Sequence, residues 1–290
     1  MANNREIRRR IKSVKNTAQI TKAMQMVASA KMRKAQQRAI AGRPYGELLL
    51  QTAANLRTQI TEFPHPLLIA RPPKRRLVLL ISTDKGLCGA LNTNLFREIQ
   101  NRDSVDKQYI TVGRKARQFI PRLKKSAWRP NLLADFELKE GFTYRDSKRV
   151  SQFLMDKYQS GEIDAVDVVF PEFVNTLLQR PRVVQLMPLG LNEKLPPASV
   201  PAASMSSYIF EPEAEEVLKA LLPFIIHHEV YQFILEARAS EHSARMVAMK
   251  NATENAKDLV KSLTLEYNQV RQAGITTELL EITTAQMALN

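Results

Sequence analysis

The chain has a single cysteine, Cys88, and a single tryptophan, Trp128. One thiol excludes an internal disulfide and fits a reducing compartment. No apolar run approaches the roughly 18–20 residues that cross a bilayer. The longest are LVLLI at 77–81 and ALLPFII at 220–226, the second split by Pro223. The start lacks the apolar stretch of a signal peptide. Its arginines mimic a transit peptide, but the helical pattern continues far past the length of one. The chain is therefore expected to be soluble or peripheral. Proline and glycine are missing from residues 1–41 and again from 224–273, and all prolines except Pro44 and Pro223 lie between 64 and 212. Acids are nearly missing from the start. Residues 1–43 carry twelve Lys/Arg against Glu6 alone, whereas residues 210–290 carry twelve acids against seven bases.

What is present is a foldable chain of 290 residues, 44% apolar, with a net charge of +14. That length fits one large or two small domains. The two ends free of Pro and Gly carry apolar residues at helical spacing. In the first, Ile7, Ile11, Val14, Ala18, Thr21, Gln25, Ala28, Met32 and Ala35 alternate steps of four and three, the seam of a coiled coil. Ile20, Met24 and Val27 form a neighbouring stripe expected to widen the apolar face. Arg43-Pro44 and Gly46 are expected to kink or interrupt this helix, which resumes through Leu48, Leu49, Leu56 and Ile60 until Pro64. The last segment begins near EPEAEE (211–216), whose acids suit a helix N-terminus. Pro223 is expected to bend it or leave a hydrogen bond missing. Its seam reads Phe233, Ala237, Ser240, Ala244, Val247 and Asn251, then drifts to Ala252, Ala256, Leu259, Leu263, Tyr267 and Val270.

The middle has strand signals. RLVLLIS (76–82) is a continuous apolar run, as in a parallel strand buried on both faces. A turn and a helix follow in TDKGLCGALNTNLFREI. KQYITVG (107–113) reads as a second strand, RKARQFIPRL as a helix and 144–160 as another, closed by Gly161. DAVDVVFPEF (164–173) and RPRVVQLMPL (180–189) read as strands of a hairpin. Residues 61–75 and 190–209 read as connector and loop. The alternation of strand and helix predicts an α/β globular domain, a Rossmann-like layer fold. The full architecture is that domain (76–190) plus a long antiparallel coiled coil of the N- and C-terminal helices (1–63 with 210–290). At about 1.5 Å per residue, helices of roughly 55–60 and 75 residues span on the order of 85 and 110 Å. The longer one outruns its partner by several turns. Its tip (Ile275, Leu279, Leu280, Ile282, Met287, Leu289) is too apolar to stand alone in water and needs a sleeve from another protein.

Sites of chemistry are sparse. Lys85-Gly86-Leu87-Cys88-Gly89 occupies the place of a phosphate loop but matches neither GxGxxG nor GxxxxGK[ST], so a tight strand-to-helix turn stands beside a nucleotide site. His227 and His228 are adjacent and point to different helix faces. His65 and His242 stand alone, and no Cys/His set has metal spacing. No metal, cofactor or catalytic residue is expected. The basic first helix fits nucleic acid by charge, yet lacks the interleaved aromatics of a single-strand binder. An acidic protein surface is the other partner it fits. Two further classes stay open on residues alone: a nucleotide-binding α/β enzyme with coiled-coil arms, and a basic coiled-coil binder of nucleic acid.

Several long segments, in order, resemble the gamma subunit of F-type ATP synthases. They are REIRRRIKSVKNTAQITKAMQMVASAKMRKAQ (5–36), STDKGLCGALN (82–92), YIFEPEAEEVLKALLP (208–223), EARASEHSARMVAMKNATENA (236–256) and LTLEYNQVRQAGITTELLEI (263–282). Ala285 and Gln286 depart from the Gly-Ala usual after the ITxExxE stretch. The cysteine-paired insertion of chloroplast members is missing. The resemblance implies a non-catalytic rotor shaft within a ring of alpha and beta subunits. It also implies a globule that contacts epsilon and the c-ring, and attachment to the cytoplasmic face of a bacterial inner membrane only through that ring. It further implies beta-subunit contacts by Lys22, Met24, Arg271, Gln272, Thr276 and Glu278, and no nucleic-acid partner.

Overall fold

A computed structural model of the chain describes residues 4–60, 64–72, 74–101, 107–123, 131–138, 141–190, 211 and 213–288. The expected loop at 190–209 falls almost wholly outside these residues, as does Leu289 of the apolar tip. Helix α1 spans Asn4–Gln59 and helix α5 spans Ala214–Ala288, 56 and 75 residues. Between them come β1 (Arg76–Ile81), α2 (Leu91–Asn101), β2 (Lys107–Val112) and α3 (Arg114–Phe119), which runs into a 3-10 turn, Ile120–Arg122. Strand β3 (Asn131–Phe136), α4 (Tyr144–Gln159), β4 (Ala165–Phe173) and β5 (Gln179–Met187) complete the order. The chain divides into two compact units. One holds residues 1–29 with 245–290, the other residues 30–244. Helices α1 and α5 each contribute to both.

Unit 30–244 is built on one sheet of order β3-β2-β1-β4-β5. The first four strands are parallel, and β5 turns back antiparallel on β4 as a hairpin. Successive side chains of a strand face opposite ways, so β1 splits cleanly. Leu77, Leu79 and Ile81 join one core with Val150, Leu154 and Tyr158 of α4, Ala53 and Leu56 of α1, and Leu222, Ile226 and Val230 of α5. Val78 and Leu80 join a second core with Leu95 and Ile99 of α2 and Ala116 of α3. This is the Rossmann-like layer arrangement expected from the strand and helix alternation. Helix α4 starts where the Asp146 carboxylate accepts the Thr143 N–H at 2.9 Å and its hydroxyl at 2.8 Å, a capping arrangement. It ends before Gly161, which adopts φ +75°.

The structure differs from the sequence reading at several places. Strand β3 has no counterpart in that reading. It is an edge strand with Asn131 and Asp135 exposed, so its sequence lacks the continuous apolar run of β1. It exists because β2 pairs with it. Helix α1 is not interrupted at Pro44. Pro44 is exposed, and the Ile40 carbonyl it leaves without an amide belongs to a residue 53% exposed, where water satisfies it. The glycines serve a close approach instead of a break. A Cβ at Gly42 would lie 2.8 Å from Gln232 Oε1, and one at Gly46 would lie 2.7 Å from His228 Nε2. Pro223 stays inside α5 and leaves the missing hydrogen bond expected of it, at the carbonyl of the exposed Lys219. Within this unit α1 and α5 run antiparallel. Gln232 donates to the Ala39 carbonyl at 2.8 Å, while His228, a turn earlier, packs edge-on against Tyr45, further along α1.

Unit 1–29 with 245–290 is a helix pair. The α1 seam is as read from the sequence, with Ile7, Thr21 and Ala28 buried and Ile11, Val14, Ala18 and Gln25 half-buried. On α5 the seam differs from the expected one. Asn251 is exposed and Leu259 is 43% exposed. Among the covered residues, Met249, Thr253, Ala256, Val260, Leu263, Tyr267, Val270 and Gly274 make an unbroken alternation of four and three. Thr21 Oγ1 meets Thr253 Oγ1 at 2.7 Å across the pair. The second α1 stripe does not widen the contact. Ile20 is 61% and Val27 55% exposed, and only Met24 is half-buried.

Candidate partner interface

With Thr21 opposite Thr253 in an antiparallel pair, Asn4 comes level with about residue 270, since each helix rises equally per residue. Burial agrees, because beyond Val270 every described α5 side chain through Met287 is exposed, with Gly274 alone half-covered. About five turns, on the order of 25 Å, therefore extend past the α1 residues that could cover them. This overhang carries Ile275 (50% exposed), Leu279 (58%), Leu280 (62%), Ile282 (63%) and Met287 (80%).

Its polar groups are largely turned inward. The hydroxyls of Thr276, Thr277 and Thr283 donate to the carbonyls of Gln272, Ala273 and Leu279 at 3.0, 2.9 and 3.0 Å, and Thr284 does the same to Leu280. Such back-bonding leaves the threonine methyls outward. Between residues 271 and 288 the only charged side chains are Arg271, Glu278 and Glu281. The surface is thus a nearly uncharged apolar rod without the packed face that supplies most helical stability in proteins.

Arg271, Gln272, Thr276 and Glu278 all lie exposed within these first turns of the overhang. Gln272 and Thr276 are four apart and share a face, and Arg271 and Glu278, seven apart, share another. Lys22 and Met24 are not brought to them. They sit about level with residues 250–252, on the order of 28 Å along the axis from Arg271. Lys22 is exposed and Met24 half-buried. Sequence reasoning assigned Ile20 and Val27 to the core and passed over Met26, which is 60% exposed. All three are exposed, and Met26 is the one nearest Lys22 around the helix. The seven-residue step from Ile20 to Val27, out of phase with the main seam, was the signal available. The α1 surface in this unit is basic, with Arg8, Arg9, Arg10, Lys12, Lys15 and Lys22 exposed.

The turn after β1 packs against the start of α3. The amides that open α3 are already used, Arg114 N–H by the Asp84 carboxylate at 2.9 Å, Lys115 N–H by the Thr83 carbonyl at 3.0 Å and Ala116 N–H by Ser82 Oγ at 2.8 Å. The chain supplies its own carboxylate where an anion would sit at a helix N-terminus. The Asn92 side chain donates to Thr83 Oγ1 at 2.8 Å and knits the loop further. Cys88 is buried beneath it.

In the other unit, ionisable groups hold the structure. The Asp164 carboxylate is held below its ordinary pKa, first by the backbone N–H of Arg75 at 2.8 Å and then by that residue's guanidinium. Burial raises Glu236, with Arg43 opposing at 3.4 Å.

Known proteins place this arrangement. The ATP synthase family model matches residues 3–289. The ATP synthase gamma chain of Methylacidiphilum infernorum is 54% identical over the whole of both chains, and that of Opitutus terrae 48% identical over 99% of each. Among solved structures, a chain of the Euglena gracilis mitochondrial ATP synthase, in an assembly described as OSCP/F1/c-ring, superposes with a TM-score of 0.67 at 21% identity, covering 99% of this chain and 94% of that one. A chain from a rotor structure of the same enzyme gives 0.63 at 20% identity, covering 94% and 98%. A full-length family match and relatives far above 30% identity leave one conclusion: the chain belongs to the ATP synthase gamma chain family, a non-catalytic central-stalk subunit of that complex.

Proposed function

We propose that this chain is the rotor shaft that carries rotation between a proton-driven c-ring and a catalytic ring of alpha and beta subunits, and that its orientation regulates ATP turnover in that ring. The observation that carries this reading is the α5 overhang. An apolar helical rod with inward-turned hydroxyls and only three charges is stable when a closed ring of other subunits sheathes it. In this reading residues 1–63 and 210–290 act as one shaft, and residues 76–190 as a globule that faces epsilon and the c-ring. Arg271, Gln272, Thr276 and Glu278 meet a beta loop at the sleeve. Lys22 and Met24, with Ile20, Met26 and Val27, meet an acidic region of beta lower on the shaft, where the basic α1 surface steers docking. No described helix is long and apolar enough to cross a membrane, so attachment to the cytoplasmic face of a bacterial inner membrane is indirect, through the c-ring.

The test is co-expression with alpha and beta subunits from the same source, followed by affinity purification on a tag carried by beta. The chain is expected to co-purify in a salt-resistant complex. Recovery of the chain only as a free monomer would overturn the reading. Deleting about ten C-terminal residues is expected to leave 76–190 folded while weakening coupling, and unfolding of the globule on that deletion would contradict separate roles.

A further inference from the structure

His227 and His228 bind α5 to two different helices. His227 is 4% exposed, and its Nδ1 meets Ser151 Oγ of α4 at 2.6 Å. Ser151 is in turn bonded to the Ser147 carbonyl at 2.9 Å. His228 faces α1. Its ring packs edge-on to Tyr45, with centroids 5.1 Å apart. The Gly42 backbone carbonyl accepts a hydrogen bond from it, and its Nε2 is buried without a partner against Gly46. The two glycines four apart on α1 make room for His228 and Gln232 four apart on α5, an interlock of small residues with larger ones. The adjacency that rules out a shared metal is what lets one dipeptide clasp two helices.

Each ring fits only when neutral. A second proton on His228 would fall on a nitrogen with no acceptor, inside the interlock. A proton on His227 would charge a ring sealed in the core, facing the cation of Lys148. The other ionisable groups around the clasp give no relief. On α1 they are Tyr45 and Arg43, and Arg43 is paired with Glu236. On α4, Tyr144 stacks edge-on with Tyr231. On α5, Glu229 is not among the groups that shift either ring, and Glu236 lies two turns on; on β4, Glu172 acts on Glu236. Burial is the leading influence on both rings, and among the described residues no carboxylate acts on either.

We infer that His227 and His228 form an acid-labile joint, a clasp that holds α1 and α4 to α5 while both imidazoles are neutral and releases them when either takes a proton. The joint rests on the geometry of this chain alone, whether or not the chain turns within a ring. Both folded-state pKa values lie below the ordinary 6.5. The unfolded chain therefore binds more protons as pH drops past that value, and stability falls with it. Each proton taken up on unfolding raises the unfolding constant by up to about tenfold per pH unit, and two by up to about a hundredfold. Glu236, raised by burial, works in the opposite sense but is common to the proteins compared.

The experiment is urea unfolding of the full-length chain at about pH 7.5, 6.5 and 5.5, wild type against His227→Gln/His228→Gln. The wild type is expected to lose stability steeply below about pH 6.5 and the double variant to lose much less, with each single variant removing up to about tenfold per pH unit. Parallel pH profiles would overturn the joint. If the double variant fails to fold, titration of the four histidine ring signals in the wild type by NMR decides. Values below 6.5 for His227 and His228 are expected, and a value at or above it for both would overturn the inference.

Discussion

Replacing Leu279 and Ile282 by alanine separates a sheathed rod from a self-packed helix end. Both side chains lie on the α5 overhang, 58% and 63% exposed. Fully burying a leucine or isoleucine contributes about 1.5–3 kcal/mol, so the still-exposed portion of each is worth roughly 1–1.5 kcal/mol on entering a dry sleeve. In the free chain these atoms contact mainly water, and alanine keeps the helix. Urea unfolding of the isolated double variant should therefore match wild type within about 0.5 kcal/mol. Titrated onto a preformed ring of alpha and beta subunits, the same variant should bind about 2–3 kcal/mol more weakly, roughly 30- to 150-fold in Kd. A loss of stability in the free chain as large as the loss of binding would mean that the tip packs on its own chain. Unchanged ring affinity would mean that the tip is not sheathed. Either result refutes the reasoning.

Other perturbations probe the fold that holds this rod. Thr21→Val or Thr253→Val alone should cost about 1 kcal/mol by removing half of a buried hydroxyl pair, while the double change should be nearly neutral, a non-additivity that chemical denaturation detects. Gly113→Ala should cost roughly 3–5 kcal/mol, because its φ is +98° and a Cβ there would lie 2.4 Å from the Ser82 carbonyl oxygen; strain and a forced backbone shift both contribute, and a melting temperature within a degree or two of wild type would contradict it. Asp164→Asn should cost about 1–2 kcal/mol at neutral pH, since the ionised carboxylate accepts from Arg75 and Lys74. That carboxylate's folded pKa lies below its ordinary value of 3.8, so its contribution is complete above that pH and disappears as pH falls through the lowered folded value. Acid unfolding curves of the two proteins should converge there.

Legibility followed how local the cause was. Strand β1 announces itself because both of its faces are buried, and LVLLI has no polar position to spare. Helix α4 is equally plain, with Thr143 and Asp146 at its start and Gly161 at its end. The lengths of α1 and α5 follow from where Pro and Gly are missing. Strand β3 has no such local signature, since its half-exposed residues become a strand only when β2 lies beside them. Pro44 and Gly46 mislead for the same reason. Locally they break a helix, but in the fold the proline faces water and the glycine admits His228 of α5. The α5 seam was misjudged by its alanines, which satisfy several registers at once, and the partner helix selects the register through Thr253, Ala256 and Leu263. Of the candidate partner surface, the apolar overhang is legible in the sequence, whereas contacts by Arg271, Gln272, Thr276 and Glu278 are what the resemblance implies and stand as a proposal. The exposure of Ile20, Met26 and Val27 was hidden by the rule that apolar residues at helical spacing face the core, which on a thin helix pair leaves more apolar surface than one seam covers.

The central claim is that this chain turns as a shaft within a ring of alpha and beta subunits, and watching it turn tests that claim most directly. The ring would be fixed to a surface through beta, a bead attached to an exposed residue of the globule such as Arg97 or Arg122, and ATP supplied. The account expects unidirectional rotation of the bead, continuing for as long as ATP is hydrolysed. Sustained hydrolysis by an intact complex whose bead shows only undirected wobble would contradict it.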